Sequence, residues 1–254
     1  MNTIGGYFLN KEDDGVSIKE NVITGKKYRI TILTDRLVRL EYNADGIFED
    51  RPTNRVIYRS FPKVEYNISS TDLLLQIVTS YFTLDYVKEK GFKSGNLKIT
   101  LNNTDKVWYY GHPEARNFGW IPYSLDNFFG NLKLDKGFYS TDGFASLDDS
   151  DSLVLDDKGN FITRTSKELD IYVFMYKKDL GLCLQDYYTL TGYPMLLPRY
   201  AYGTWWYKNT KYTGAQLDTL LHKFVEENTP LSALLLGNCY LDNDRLNVDG
   251  NFLN

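Results

Sequence analysis

The sequence predicts a mainly β protein: a β-sandwich followed by a short βαβ segment. Three observations carry this. From Tyr28 to about Tyr176, apolar residues recur in short runs with a period of two, and no long helical pattern interrupts them. Turn residues separate the runs at close spacing, as in a sandwich or barrel. After Thr213 the apolar period changes to 3.6, and Leu231–Leu236 then forms an unbroken apolar run, the pattern of a strand buried on both faces.

The elements follow in order. Tyr28–Leu33 is a strand before Asp35-Arg36. Val38, Leu40 and Tyr42 alternate with Arg39 and Glu41, which predicts a half-buried strand with the charged pair on its wet side. Asn43-Ala44-Asp45-Gly46 is a turn. Val64–Ile68, Leu73–Val78 and Phe82–Val87 are strands, with Ser69-Ser70-Thr71-Asp72 as one connection. Leu97–Leu101 and Val107–Tyr110 flank a polar hairpin turn. Leu153–Leu155 and Phe161–Thr163 flank Asp156-Asp157-Lys158-Gly159-Asn160, where Gly supplies the positive φ. Leu169–Tyr176 is a long apolar and aromatic strand.

A helix closes this region. Asp179 is placed to cap it, Leu180, Cys183, Leu184, Tyr187 and Tyr188 form its apolar face, and Gly192 sits where a helix ends. Pro194 and Pro198 punctuate the chain, so the domains are expected at 1–195 and 196–254. Tyr200–Trp206 has strand character. Thr213 caps a second helix whose apolar stripe is Leu217, Leu220, Leu221, Phe224 and Val225. Strand, helix and buried strand make a βαβ unit with a right-handed crossover.

Composition narrows the function classes. Of 254 residues, 43% are hydrophobic and 24% charged, enough for a packed core. The net charge of −4 argues against nucleic acid as a partner. No apolar run reaches membrane-spanning length, and the N-terminus lacks a secretory pattern, so a cytoplasmic protein with no membrane partner is expected. Two cysteines, Cys183 and Cys239, suggest no disulfide framework. His112 and His222 have no spaced ligand partner, and Asp148, Asp149 and Asp151 read as a solvated turn, so no metal is expected. No phosphate-cradling, dinucleotide or Ser-His-Asp motif occurs, and no cofactor is expected.

Several motifs resemble glycoside hydrolase family 31, the α-glucosidase and α-xylosidase family. They are Leu197-Pro198-Arg199, Ala201-Tyr202-Gly203, Trp205-Trp206, Tyr212-Thr213 and Pro230-Leu231 at the βαβ unit. Upstream come Leu37–Tyr42 with Phe48–Thr53, Asn117-Phe118-Gly119 with Ser124-Leu125-Asp126, and Gly137–Phe144 running into Leu147–Ser150. Trp120, Ile121 and Tyr123 depart from the family's small and basic residues, and Thr141 replaces an Arg. The resemblance implies a galactose-mutarotase-like sandwich followed by a truncated βαβ piece of a (β/α)8 barrel. It implies an α-linked glucoside or xyloside as partner of the intact enzyme.

Retaining glycoside hydrolysis needs a nucleophile and an acid/base, both carboxyl groups. In the family they lie on later barrel strands, so no catalytic residue is expected here and the chain alone should be inactive. Three residues are candidate sugar contacts. Asp142 lies in the loop that family sandwiches extend toward the active site, though a plain turn Asp before Gly143 fits too. Trp206 ends the aromatic run at the barrel entry. The family's acidic positions after the buried strand fall on Gly237 and Cys239, which leaves Asp242, or an acidic solvated loop. A non-catalytic carbohydrate-binding or assembly module is the competing reading, and a mutarotase-like epimerase, which needs a paired His and Glu, ranks below both. An apolar strand at 231–236 with an open edge would pair with a second copy, so a homo-oligomer is expected.

Overall fold

The computed structural model describes residues 15–121, 128–208, 210 and 212–236. It divides into two compact units, Met1–Tyr193 and Pro194–Asn254.

The first unit is built on two antiparallel five-stranded sheets. Sheet one has the order β1 (Val22–Thr24), β2 (Tyr28–Ile32), β3 (Leu37–Tyr42), β12 (Leu169–Met175) and β9 (Phe144–Asp148). Sheet two is a meander of β4 (Asn67–Ser70), β5 (Leu74–Val78), β6 (Phe82–Val87), β7 (Leu97–Leu101) and β8 (Val107–Tyr109). The hairpin β10 (Val154–Leu155) and β11 (Phe161–Ile162) forms as the sequence predicts, with Gly159 at φ +80°.

The period of two places the core. Ile30, Val38, Leu40, Ile171, Val173 and Met175 of sheet one face Leu75, Ile77, Phe82, Leu84, Ile99 and Trp108 of sheet two, all buried. Two facing sheets closed over such a layer are a β-sandwich. The other side of sheet two alternates outward into solvent, where the Gln76 amide donates to Asp85 at 2.8 Å.

The second face of sheet one is covered over β3 and β12, which corrects the sequence reading of β3. That face carries a second core of Leu33, Leu37, Val56, Phe61, Tyr172 and Phe174, covered by α1 (Leu180–Thr191) through Cys183 and Leu190. Arg39 and Glu41, expected at the surface, are 1% and 0% exposed. Alternation of polar and apolar residues identifies two faces, and it does not say that the polar face meets water.

Three local expectations also shift. The strand expected at 64–68 pairs instead at 67–70. Val64 N–H donates to Asn21 Oδ1 and Tyr66 hydroxyl to the Glu20 carbonyl, and these bonds hold that stretch away from the ladder. Asp179 does not cap α1 with its side chain, which accepts from the Tyr81 hydroxyl at 2.7 Å. On α1 itself, Leu180 is exposed while Asp186 is buried, because Arg36 forks onto both its oxygens at 3.0 and 2.9 Å.

The second unit is the βαβ segment. A 3-10 turn occupies Arg199–Tyr202, so the first part of the expected strand coils: Pro198 sets the entry, and Ala201 N–H closes onto its carbonyl at 2.9 Å. β13 (Trp205–Lys208) then leads to α2 (Gly214–Glu226) and to β14 (Ala233–Leu236), which pairs parallel with β13. Thr213 and Gln216 form a complete capping box. Trp206 lies opposite Leu234 in the ladder and packs edge-on to Phe224 at 5.5 Å. Leu217 is buried, whereas Leu235 and Leu236 are exposed, so the apolar run does not mark burial on both faces within this unit.

Candidate functional site

Asp142 stands in a loop that the backbone fixes firmly. Gly143, at φ +79°, turns the chain into β9, and its carbonyl accepts from the N–H groups of Tyr176 and Lys177 at 2.9 Å each. The Tyr176 hydroxyl accepts from Ser140 N–H at 2.7 Å, and Ser140 Oγ accepts from Asp142 N–H at 3.0 Å. The Asp142 carboxylate meets Lys106 Nζ at 3.1 Å and Arg116 Nη1 at 3.5 Å. It is therefore a positioned acceptor, already shared by two cations. Trp206 belongs to the second unit, in a hollow of about 250 Å³ with Leu220, Lys223 and Phe224. Asp242, Gly237 and Cys239 lie outside the described residues.

The first unit also holds a cleft that the sequence reading did not single out. Two stretches run side by side, joined by Phe118 N–H to Tyr139 carbonyl at 2.7 Å and by reciprocal bonds between Trp120 and Asp135 at 3.0 Å. Gly137 permits the approach, since a Cβ there would stand 1.8 Å from the Phe118 carbonyl oxygen. With β9 and α1 they border an open groove of about 640 Å³, walled by Phe118, Trp120, Phe138, Tyr139 and Tyr187. Phe138 is wedged edge-on against Phe174 and tilted against Tyr187, both at 4.7 Å, whereas Phe118 and Trp120 are more than half exposed.

The polar groups of the cleft are Lys136 and Ser146. Behind them Glu114, 3% exposed, accepts from the Ser146 hydroxyl in a short bond and from Trp108 Nε1 at 3.3 Å, with Lys136 Nζ 3.9 Å away. Glu114 has φ +49°, and its N–H donates to His112 Nδ1 at 2.9 Å. In the sequence, Glu114 stands isolated after a Pro, and the partners of its carboxylate are 6 to 32 residues distant. The one trace of the cleft in the sequence is the close spacing of its aromatics, Phe118 with Trp120 and Phe138 with Tyr139, which the sequence reading did not use.

The largest titratable cluster is structural. Arg39, Arg59 and Arg164 interleave with Glu41, Asp149, Glu168 and Asp170 on the second face of sheet one. Burial disfavours the Asp170 carboxylate, but Arg39 and then Arg59 and Arg164 outweigh it and hold its pKa well below the usual range. Burial pushes Glu168 up to about 7 against the opposing pull of Arg164, and its Oε2 has no hydrogen-bond partner. Asp149, expected in a solvated turn, is 0% exposed and accepts from Thr53 Oγ1 at 3.0 Å. These acids are consumed by arginines and leave no free pair for acid/base work. Among the described residues no group of His, Cys, Asp and Glu is arranged to hold a metal. No helix among them is long and apolar enough to cross a membrane.

No protein-family model matches the chain. A 144-residue stretch, 56% of the chain, is 27% identical to an isomaltosyltransferase of Sporosarcina globispora, of which it spans 13%. The fold matches a GH31 α-xylosidase from a soil metagenome, complexed with xylose, over 89% of this chain and 41% of that one, at TM-score 0.53 and 12% identity. A Flavobacterium johnsoniae GH31 dextranase bound to isomaltotriose aligns over 90% of this chain and 32% of its own, at TM-score 0.48 and 16% identity. The chain thus spans less than half the length of each of these proteins. Its fold is shared with a part of that GH31 α-xylosidase.

Proposed function

We propose that the chain serves as the N-terminal portion of a family 31-related glycosidase acting on α-linked glucosides or xylosides, and that it is inactive by itself. The observation that carries this is the presence in one chain of a two-sheet sandwich and a parallel β13–α2–β14 unit, with a fold that matches the xylose-bound α-xylosidase over 89% of the chain. On this reading residues 1–195 are the sandwich domain and 196–254 the first βαβ segment of the barrel. Barrel active sites lie at the C-terminal ends of strands. Lys208 and Leu236 end β13 and β14; Trp206 stands two residues before the first of these ends, and Asp242 follows the second in sequence. Asp142 adds an acceptor from the sandwich loop. The partner is a neutral sugar, and the net charge of −4 gives nucleic acid no purchase. Exposed Leu235 and Leu236 supply the apolar edge for a homo-oligomer. A location in the cytoplasm accords with the free, buried thiol of Cys183.

Saturation-transfer NMR with xylose and glucose tests the sugar contacts. We expect signal from both sugars, diminished in Trp206→Ala and in Asp142→Asn, and no turnover of an aryl α-glucoside. Absence of any sugar signal, or hydrolysis that survives repurification, overturns the reading.

A further inference from the structure

We propose that the aromatic cleft of the first unit is a separate binding site for a neutral oligosaccharide of pyranose units, with Trp120 as its platform and Lys136 and Ser146 as its polar end. The proposal goes beyond the function above, which places sugar at Asp142, Trp206 and Asp242.

Three features of the cleft argue for a sugar. Its volume, about 640 Å³, is in the range of small-ligand sites. Its walls offer ring faces, and a pyranose presents C–H groups on one face that pack on an aromatic while its hydroxyls reach sideways for hydrogen bonds. Trp120 is held for this: its indole N–H donates to the Lys136 carbonyl at 3.1 Å, and its body remains 53% exposed. An exposed indole pinned at its polar edge has already lost the rotamer freedom that ligand binding would otherwise remove.

The polar end is organised from behind. Glu114 holds the Ser146 hydroxyl and lies 3.9 Å from Lys136 Nζ, so one buried carboxylate orients the hydroxyl and attracts the ammonium. With Ser146 donating to Glu114, its oxygen is left to accept from a sugar hydroxyl, and Lys136 donates. Glu114 is thus a positioning residue. Next to the wall, beside Phe118, stands an unspent amide: both polar atoms of Asn117 are buried without a hydrogen-bond partner, and its Oδ1 lies 3.4 Å from a Cβ built on Gly137. A neutral ligand suits the cleft, because the Lys136 charge is already answered by Glu114.

The probe is isomaltotriose, titrated into the full chain. The readout is the indole N–H resonance of Trp120, assigned by its loss in Trp120→Phe. We expect that resonance to shift, and Trp120→Ala and Lys136→Met to weaken binding by ~10-fold or more while Trp206→Ala does not. Glu114→Gln should weaken binding and leave the Trp120 shift at saturation unchanged. If isomaltotriose binds but Trp120 does not shift, and binding falls in Trp206→Ala instead, the cleft is not a site and the proposed function stands. If the chain binds xylose or glucose but not isomaltotriose, the cleft proposal again fails alone. If no sugar binds, both readings fall.

Discussion

Arg39 on β3 grips both carboxylate oxygens of Asp170 on β12, at 2.8 Å each, on a face of sheet one that excludes solvent. The two residues are diagonal neighbours, since Arg39 registers with Tyr172 and Asp170 with Glu41. Arg39 also donates to the Glu49 carbonyl at 2.8 Å, which ties the segment over the sheet to the strand beneath it. Asp170→Asn should therefore cost about 3–5 kcal/mol, since it leaves buried guanidinium groups uncompensated. Urea denaturation measures it. Arg39→Met should cost much less in the Asp170→Asn background than alone, and equal costs would show that the pair is not coupled.

Glu168 should give stability a specific pH dependence. Its folded pKa, about 7, lies above the ordinary 4.5, so the folded state binds this proton more tightly than the unfolded state. The stabilisation is complete below about 4.5 and is lost as pH rises through about 7. Glu168→Gln should remove that decline, seen as a smaller drop in the urea midpoint between pH 5 and pH 8 than in the unmodified chain. Identical drops would place the Glu168 pKa near its ordinary value.

Gly143→Ala should destabilise the first unit by about 1–3 kcal/mol. The position has φ +79°, and a Cβ there would stand 2.6 Å from the Lys177 carbonyl oxygen, which cannot retreat while its own chain is tied to Gly143. Because the same loop carries Asp142, the variant should also reduce the sugar signal assigned to Asp142. A thermal midpoint unchanged from the parent would refute the strain.

The sequence by itself determined the local elements wherever one residue type answers one geometric need. Alternation located β5, β6 and β7 because a pleated strand turns its side chains to opposite faces. Thr213 and Gln216 announced the start of α2, because a helix leaves its first N–H groups unpaired and this spacing supplies their acceptors. Gly159 and Gly192 marked a turn and a helix end through the positive φ that both adopt. The tertiary structure alone decided what each face meets. Arg39, Glu41 and Asp149 look solvent-bound in sequence, and only the packing of α1 and the 49–61 segment over sheet one makes them interior. Their partners stand up to 131 residues away, and charge complementarity at that distance leaves no periodic trace. The same holds for the aromatic cleft: Glu114, Lys136 and Ser146 each look ordinary in sequence, and they become one site because strand pairing brings three remote segments together.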